Sequence, residues 1–303
     1  MNINKALLLS LGDLEGPVVT FYDFGRIVYS LYKSKEYKGE PLSHLKRDCP
    51  DRSAVKKYLT DLVDQGILSA YPGFPKDTVF SFIGRSGSGM SVEAGDVACA
   101  VDPFGYVSHL SAMEYYGLTD RMLTVLHISS PADRNWKSFA MEKMKKDLGG
   151  GLDEYLESNL PRLSRTRLQK VGRKPIKRTA SVHLGAFRAL RGRAMRVSTI
   201  GRTFLDMLKR PELCGGIGHV LDVYDEHARN YVQLIIDEVN QHGGAIDKVR
   251  SGYILEERLG VSDPQIDAWI KFAERGGSRK LDASNEYEPR WSDKWCLSLN
   301  VVE

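Results

Sequence analysis

No run of this 303-residue chain approaches the ~20 consecutive apolar residues that a membrane-crossing helix needs. A bilayer partner is therefore not expected. Cysteine is scarce: Cys49, Cys99, Cys214 and Cys296 are scattered, with no CxxC pair and no histidine at ligand spacing. That excludes a zinc ribbon or a disulfide framework and fits a reducing cytoplasm. Neither a metal nor a cofactor is expected. The first ten residues hold only a short apolar patch, soon broken by Asp13 and Glu15, and read as a first helix and not a signal peptide. The most informative absence is of one sign of charge. Between positions 161 and 205 there is no Asp and no Glu.

That segment instead holds thirteen cations: Arg162, Arg165, Arg167, Lys170, Arg173, Lys174, Lys177, Arg178, Arg188, Arg191, Arg193, Arg196 and Arg202. The whole chain carries 43 basic and 39 acidic residues, so without the segment 30 basic residues face 39 acidic ones. A block of like charge repels itself and is stable chiefly beside a polyanion or an acidic protein surface. The competing reading is a solvated surface loop whose arginine stems cover apolar neighbours.

The first ninety residues carry their own signals. Leu7, Leu8, Leu11 and Leu14 recur at helical spacing up to Gly16-Pro17. Thr20 is placed to cap a second helix containing Phe21, Phe24, Ile27, Val28 and Leu31, and a short helix is expected over 42–47, ending before Pro50. Asp51 and Gly66 then bracket a longer helix as N-cap and C-terminal glycine. Val55, Leu59, Leu62 and Val63 form its core face, leaving Arg52, Ser53, Lys56, Lys57 and Thr60 outside. Strands are expected over 67–71 and 78–83, with Lys76 at the tip of the turn between them. Helix, turn, longer helix and hairpin is the order of a winged helix-turn-helix. Its recognition helix enters the major groove by its N-terminal end, where short polar and basic side chains reach base edges and phosphates.

The glycine- and serine-rich segment 84–89 reads as a joint, since it has no GxxxxGK[ST] pattern to cradle a phosphate. The expected organisation is a winged helix-turn-helix domain over 1–84, a linker over 85–95 and a mixed domain over 96–303. In the last, helices are expected at 108–117, 136–148 and 200–209, with Gly149 to Gly151 ending the second and Thr199 capping the third. Strands are expected at 123–128, 182–184, 195–198 and 296–301, and mostly helix from 217 to about 275. The elements mix without regular βαβ alternation, so the fold class is α+β.

Residues 101–119, 196–206, 210–216, 250–256, 276–282 and 295–301 together resemble, in order, segments of the AbiEi family. These are antitoxins of the AbiE abortive-infection toxin–antitoxin systems. Together with the N-terminal winged helix, the resemblance covers most of the chain. It implies an N-terminal winged helix that represses its own operon by binding double-stranded DNA at inverted repeats in the promoter. It also implies a C-terminal antitoxin domain that neutralises a nucleotidyltransferase-like toxin without a stable complex. The 161–205 stretch is assigned no family role residue by residue; it is a candidate contact for nucleic acid or toxin.

Enzyme readings fit less well. Gly277-Ser278 followed by Asp282 is superficially like a nucleotidyltransferase motif, but the paired metal-holding carboxylates are missing. Asp237-Glu238 could sit on a nuclease strand, although Leu234, Ile235, Glu238 and Val239 equally suit a helix. Ser181 and His183 lie close in sequence, yet adjacency alone makes no catalytic triad. The remaining histidines form no ligand pattern and suit surface or hydrogen-bonded core positions. The expectation is a cytoplasmic, non-enzymatic DNA-binding protein. Its rivals are an interaction protein that grips acidic protein or RNA through the basic stretch, and a DNA-acting nuclease.

Overall fold

A computed structural model describes residues 1–43, 45–83, 93–181, 186–274 and 279–301. The first module runs α1 (Ile3–Gly12), β1 (Val18–Thr20), α2 (Phe21–Ser34), β2 (Glu36–Tyr37), β3 (Glu40–Pro41), α3 (Arg52–Asp64), β4 (Leu68–Ala70) and β5 (Val79–Phe82). Thr20 caps α2 by accepting from the Asp23 N–H at 3.1 Å, and Asp51 caps α3 by accepting from the Ala54 N–H at 2.8 Å. β5 lies between β1 and β4 in an antiparallel sheet of order β1-β5-β4, which ties the start of α2 to the hairpin that follows α3.

The helix expected over 42–47 is absent from the described residues. Lys35 ends α2 in the left-handed region, and the chain turns back through Lys38 and Gly39 (φ 49° and 85°) as the β2–β3 hairpin. Positive φ at both turn residues is the signature of a two-residue hairpin. The Leu42 N–H is then bonded to the Lys35 carbonyl at 2.8 Å, which holds this segment to the hairpin and not to a helix. Val63, assigned to the core face, lies exposed at the end of α3, whereas Val55, Leu59 and Leu62 are buried.

The second part contains α4 (Ala94–Val101), β6 (Tyr106–Val107), α5 (His109–Tyr115), β7 (Leu126–Pro131), α6 (Asp133–Leu148), α7 (Leu152–Glu157), β8 (Lys170–Val171), β9 (Lys174–Ser181), β10 (Phe187–Ala189) and β11 (Arg196–Ser198). Its strands form one sheet of order β10-β11-β6-β7-β9-β8. β7–β9 and β11–β6 are parallel, the other pairs antiparallel. α6 and α7 form the crossover from β7 to β9, a single βαβ unit inside a mixed sheet. The helices α8 (Ile200–Lys209), α9 (Ile217–His227), α10 (Val232–His242), α11 (Ala245–Gly252) and α12 (Pro264–Asp267) follow, then the short pair β12 (Trp291–Ser292) and β13 (Leu297–Ser298). They enclose a core around Phe204, Tyr224, Trp269 and Trp295. The fold is α+β. β7 begins and ends three residues later than expected, and β13 is shorter than the expected 296–301 strand. β9 goes unsignalled in the sequence because alternating Lys, Arg, Pro and Thr mask its periodicity. Residues 182–184, 84–92, His183 and Gly277-Ser278 lie outside the described residues.

The first module shares its core with the crossover. Phe24, Val28, Leu59 and Phe80 pack in one cluster with Met144, Tyr155 and Leu160. Polar bonds reinforce the seam: the Tyr22 hydroxyl donates to Asp147 at 2.9 Å, and that of Tyr29 to Glu154 at 2.7 Å. Gly25 permits this approach, since a Cβ there would lie 2.9 Å from Pro161 Cδ and from the Tyr155 hydroxyl. Gly25→Ala is therefore expected to destabilise the protein by about 1–3 kcal/mol through overpacking. In a chain of this size that lowers the thermal midpoint by about 1.5–2 °C per kcal/mol, measurable by circular dichroism.

Candidate nucleic-acid interface

The α3 cap fixes the chemistry of the helix end. Asp51 accepts from the Ala54 N–H and from the Ser53 hydroxyl at 2.6 Å, which together hold its carboxyl at about 2. It is thus charged near neutrality. The Ser53 proton is engaged there, leaving its oxygen lone pairs to face a donor such as a cytosine amino group. One turn on, Lys56, Lys57 and Thr60 are exposed, as is Arg52. Arg52 is steadied by the Asn159 carbonyl at 3.3 Å and by the Phe21 ring, 5.6 Å from its guanidinium.

These residues do not stand alone. Arg52 and Lys56 line a cavity of ≈ 330 Å³ with Lys76 from the β4–β5 turn and Arg162 from the basic stretch. Residues between 52 and 76 and Arg162, distant in sequence, thus meet in one cationic cleft. The turn is held beside the stretch by apolar contact: Val18 and Val79 pack with Val171, and Tyr71, Phe74 and Leu168 cover them. This contact also carries the β8–β9 hairpin, with Lys170, Arg173 and Lys174 around Gly172 (φ 57°), to the flank of the first module.

The thirteen cations of the stretch divide into two groups. Arg165, Arg193, Arg196 and Arg202 are turned into the protein. Arg165 donates to Asp133 and to the Pro131 carbonyl. Arg193 forms a fork with Asp96 and also pairs with Glu93 at 2.8 Å. Arg196 donates to the carbonyls of Cys99, Asp102 and Gly105, closing the end of α4. Arg202 is buried against Asp206 at 2.8 Å and Glu238 at 3.6 Å. All four tie elements of the fold together, and Arg193, Arg196 and Arg202, held by acids or carbonyls inside it, are not available to phosphate. Arg188 lies over the rings of Tyr115 and Tyr116, and Arg178 reaches Asp133 at 3.1 Å. Arg162, Arg167, Lys170, Arg173, Lys177 and Arg191 are exposed, with Lys174 half-buried. Every acidic partner named here lies outside 161–205, so the imbalance in the sequence is partly local pairing across the fold.

Glu238 sits in α10 against Arg202, while Asp237 on the same helix accepts from Gln233 at 2.8 Å. The two carboxylates of the nuclease reading are thus engaged separately. Sequence reading also passes over a polar layer under the sheet. Ser108 bonds the His109 Nδ1 at 2.8 Å and accepts from Ser129 at 2.9 Å, and His127 lies nearby, its ring centre 6.2 Å from that of His109. Burial holds both histidines at about 4, so they are neutral near pH 7. No spacing in the chain signals this layer, because its members are joined across strands.

No family model matches the chain, and a search of curated proteins finds no match. Three chains of solved structure match. One is the crystal structure of the RV2827C protein from Mycobacterium tuberculosis, at 13% identity and a TM-score of 0.47, covering 97% of this chain and 89% of that one.

Proposed function

We propose that this protein is a double-stranded DNA-binding regulator with a winged helix at its N-terminus. The observation that carries the proposal is the shared cleft: the exposed end of α3, the β4–β5 turn and Arg162 present four cations to one surface. The order α1-β1-α2-α3-β4-β5 with strands arranged β1-β5-β4 supports the winged-helix reading. In it α3 enters the major groove by its N-terminal end. Arg52, Ser53, Lys56, Lys57 and Thr60 read bases and adjacent phosphates, and Lys76 meets the backbone. Arg162, Lys170 and Arg173 add phosphate contacts beside the wing.

The test is binding of the purified chain to a duplex from its own promoter and to a scrambled duplex, across a salt series. Six phosphate contacts give an expected slope of log affinity against log salt of about −5, at roughly −0.9 per contact. Equal weak binding to both duplexes would remove the recognition role from α3.

The resemblance to AbiEi antitoxins extends the proposal. The regulator represses its own operon, and the part beyond residue 96 neutralises a cognate nucleotidyltransferase-like toxin without enzymatic activity of its own. Co-expression with that toxin checks this, because rescue of growth by residues outside the cleft separates neutralisation from repression.

A further inference from the structure

A second cavity, of ≈ 400 Å³, opens between the start of α6 and strand β9. Its walls join three arginines, Arg165, Arg167 and Arg178, to an apolar floor of Ile128, Leu168 and Ile176. We infer that it binds a small molecule with one phosphate group and a flat ring, of the mononucleotide class. This goes beyond the DNA-binding proposal and does not rest on it.

The placement follows from the sheet. β7 and β9 run parallel, with Ile128 opposite Arg178, so both side chains emerge on the same face. β7 ends at Pro131 and α6 starts at Asp133. The cavity therefore lies toward the carboxyl ends of a parallel pair, beside the first turn of the crossover helix. Open α/β sheets bind their ligands at this end, because the chain must part there to enter its helices.

The arginines are arranged for a single anion. Arg165 and Arg178 both donate to one oxygen, Asp133 Oδ1, the second at 3.1 Å. Arg165 cannot drift, since its other nitrogen donates to the Pro131 carbonyl at 2.7 Å and to the Ser130 hydroxyl at 3.2 Å. Its guanidinium also lies 5.9 Å from the Trp136 ring centre. Asp133, by contrast, has 67% of its side chain exposed. Its carboxylate occupies the place of a phosphate oxygen and can swing out to solvent when one arrives. Two guanidiniums match the charge of about −1.5 to −2 on a phosphate monoester near pH 7. Arg167 at the rim makes no ion pair with the described residues.

The floor argues for a small molecule over a length of duplex. A backbone phosphate needs only an exposed rim of cations. An apolar floor beneath convergent polar groups suits a planar ring. Thr166 and Gln169 line the same cavity and offer bonds to the ring's edge. Asp102 is the other carboxylate in the wall. It accepts from the Phe104 N–H at 3.1 Å, Trp136 Nε1 at 3.3 Å and the Ser130 hydroxyl. Its fixed negative charge disfavours a second phosphoryl group, which limits the ligand to a monophosphate.

The experiment is calorimetric titration of the full chain with the four common nucleoside monophosphates, their nucleosides and inorganic phosphate. At least one monophosphate is expected to bind, with its nucleoside and inorganic phosphate each about tenfold or more weaker. Arg178→Ala should weaken binding by about tenfold, the loss of one charge-assisted hydrogen bond. Asp133→Asn should tighten it, because the internal competitor loses its charge. Opposite effects from two exposed neighbours are not produced by misfolding, which thermal midpoints would report separately.

Absence of binding by any monophosphate to both the wild type and Asp133→Asn overturns the proposal. So does inorganic phosphate binding as tightly as the nucleotide, or an unchanged affinity in Arg178→Ala. The same variants are assayed on promoter duplex. Loss of duplex affinity in Arg178→Ala without any nucleotide binding would assign these arginines to DNA and also overturn the proposal. Failure of all duplex binding leaves the nucleotide titration to decide independently.

Discussion

Replacing Arg52, Lys56 and Lys57 together by alanine is expected to abolish selective binding to promoter duplex while leaving the fold intact. All three side chains are exposed, so their truncation removes little packing. Arg52 alone has a tertiary bond, to the Asn159 carbonyl at the long distance of 3.3 Å. A well-made base pairing by a side chain is worth about 1–3 kcal/mol of discrimination, so removing three lowers specific affinity by about a hundredfold or more. The salt slope should become shallower by about 2 to 3, at roughly 0.9 for each phosphate no longer neutralised. Fluorescence anisotropy over a salt series measures both. An unchanged slope together with retained selectivity would move the interface away from α3.

The largest stability effect is expected at Arg202. Its guanidinium is buried between Asp206 at 2.8 Å and Glu238 at 3.6 Å, where α8 meets α10. One cation serves two desolvated carboxylates. Burial raises the Asp206 carboxyl to about 6 and shifts Glu238 upward as well. Arg202→Met leaves both acids without their partner, a loss of about 3–5 kcal/mol for a broken buried ion pair. The thermal midpoint should fall by about 5–10 °C, at roughly 1.5–2 °C per kcal/mol.

The pH dependence has a definite sign. The Asp206 carboxyl is raised in the folded state above its unfolded value near 3.8. The folded protein therefore holds this proton more tightly than the unfolded chain. The stabilisation is fully present below about 3.8 and is lost as pH rises through about 6. The deficit of Arg202→Met should accordingly shrink between pH 7 and 5, and Asp206→Asn should flatten the slope of stability across that window. A deficit that grows on acidification would contradict the charge state assigned to the cluster.

Much of the first module is legible because its signals are local. Thr20 and Asp51 bond backbone N–H groups three residues ahead, and an amphipathic helix such as α3 declares its exposed face by its own period. The segment after α2 departs from its expected helix for the complementary reason. Its path is set by the Lys38-Gly39 turn and by the Leu42 bond back to Lys35, which helical periodicity does not register. β9 escapes sequence reading because its outward residues are Lys, Arg, Pro and Thr. Its strand character comes from pairing with β7 and β8 and not from its composition.

By itself the sequence determined the charge imbalance of residues 161–205, the polar and basic face of α3, the caps at Thr20, Asp51 and Thr199 and the mixed α+β class. These depend on residue type and on spacing within a few turns, which the chain carries wherever it is placed. Only the tertiary structure decided which cations are free. Arg193, Arg196 and Arg202 meet their partners across gaps of sequence or on a buried helix face, whereas Arg162 is carried to Arg52, Lys56 and Lys76. It likewise set Arg165 and Arg178 upon a single carboxylate oxygen. Convergence of that kind depends on how a sheet, a crossover and a packed seam bring distant residues together, and no local pattern encodes the distance between them.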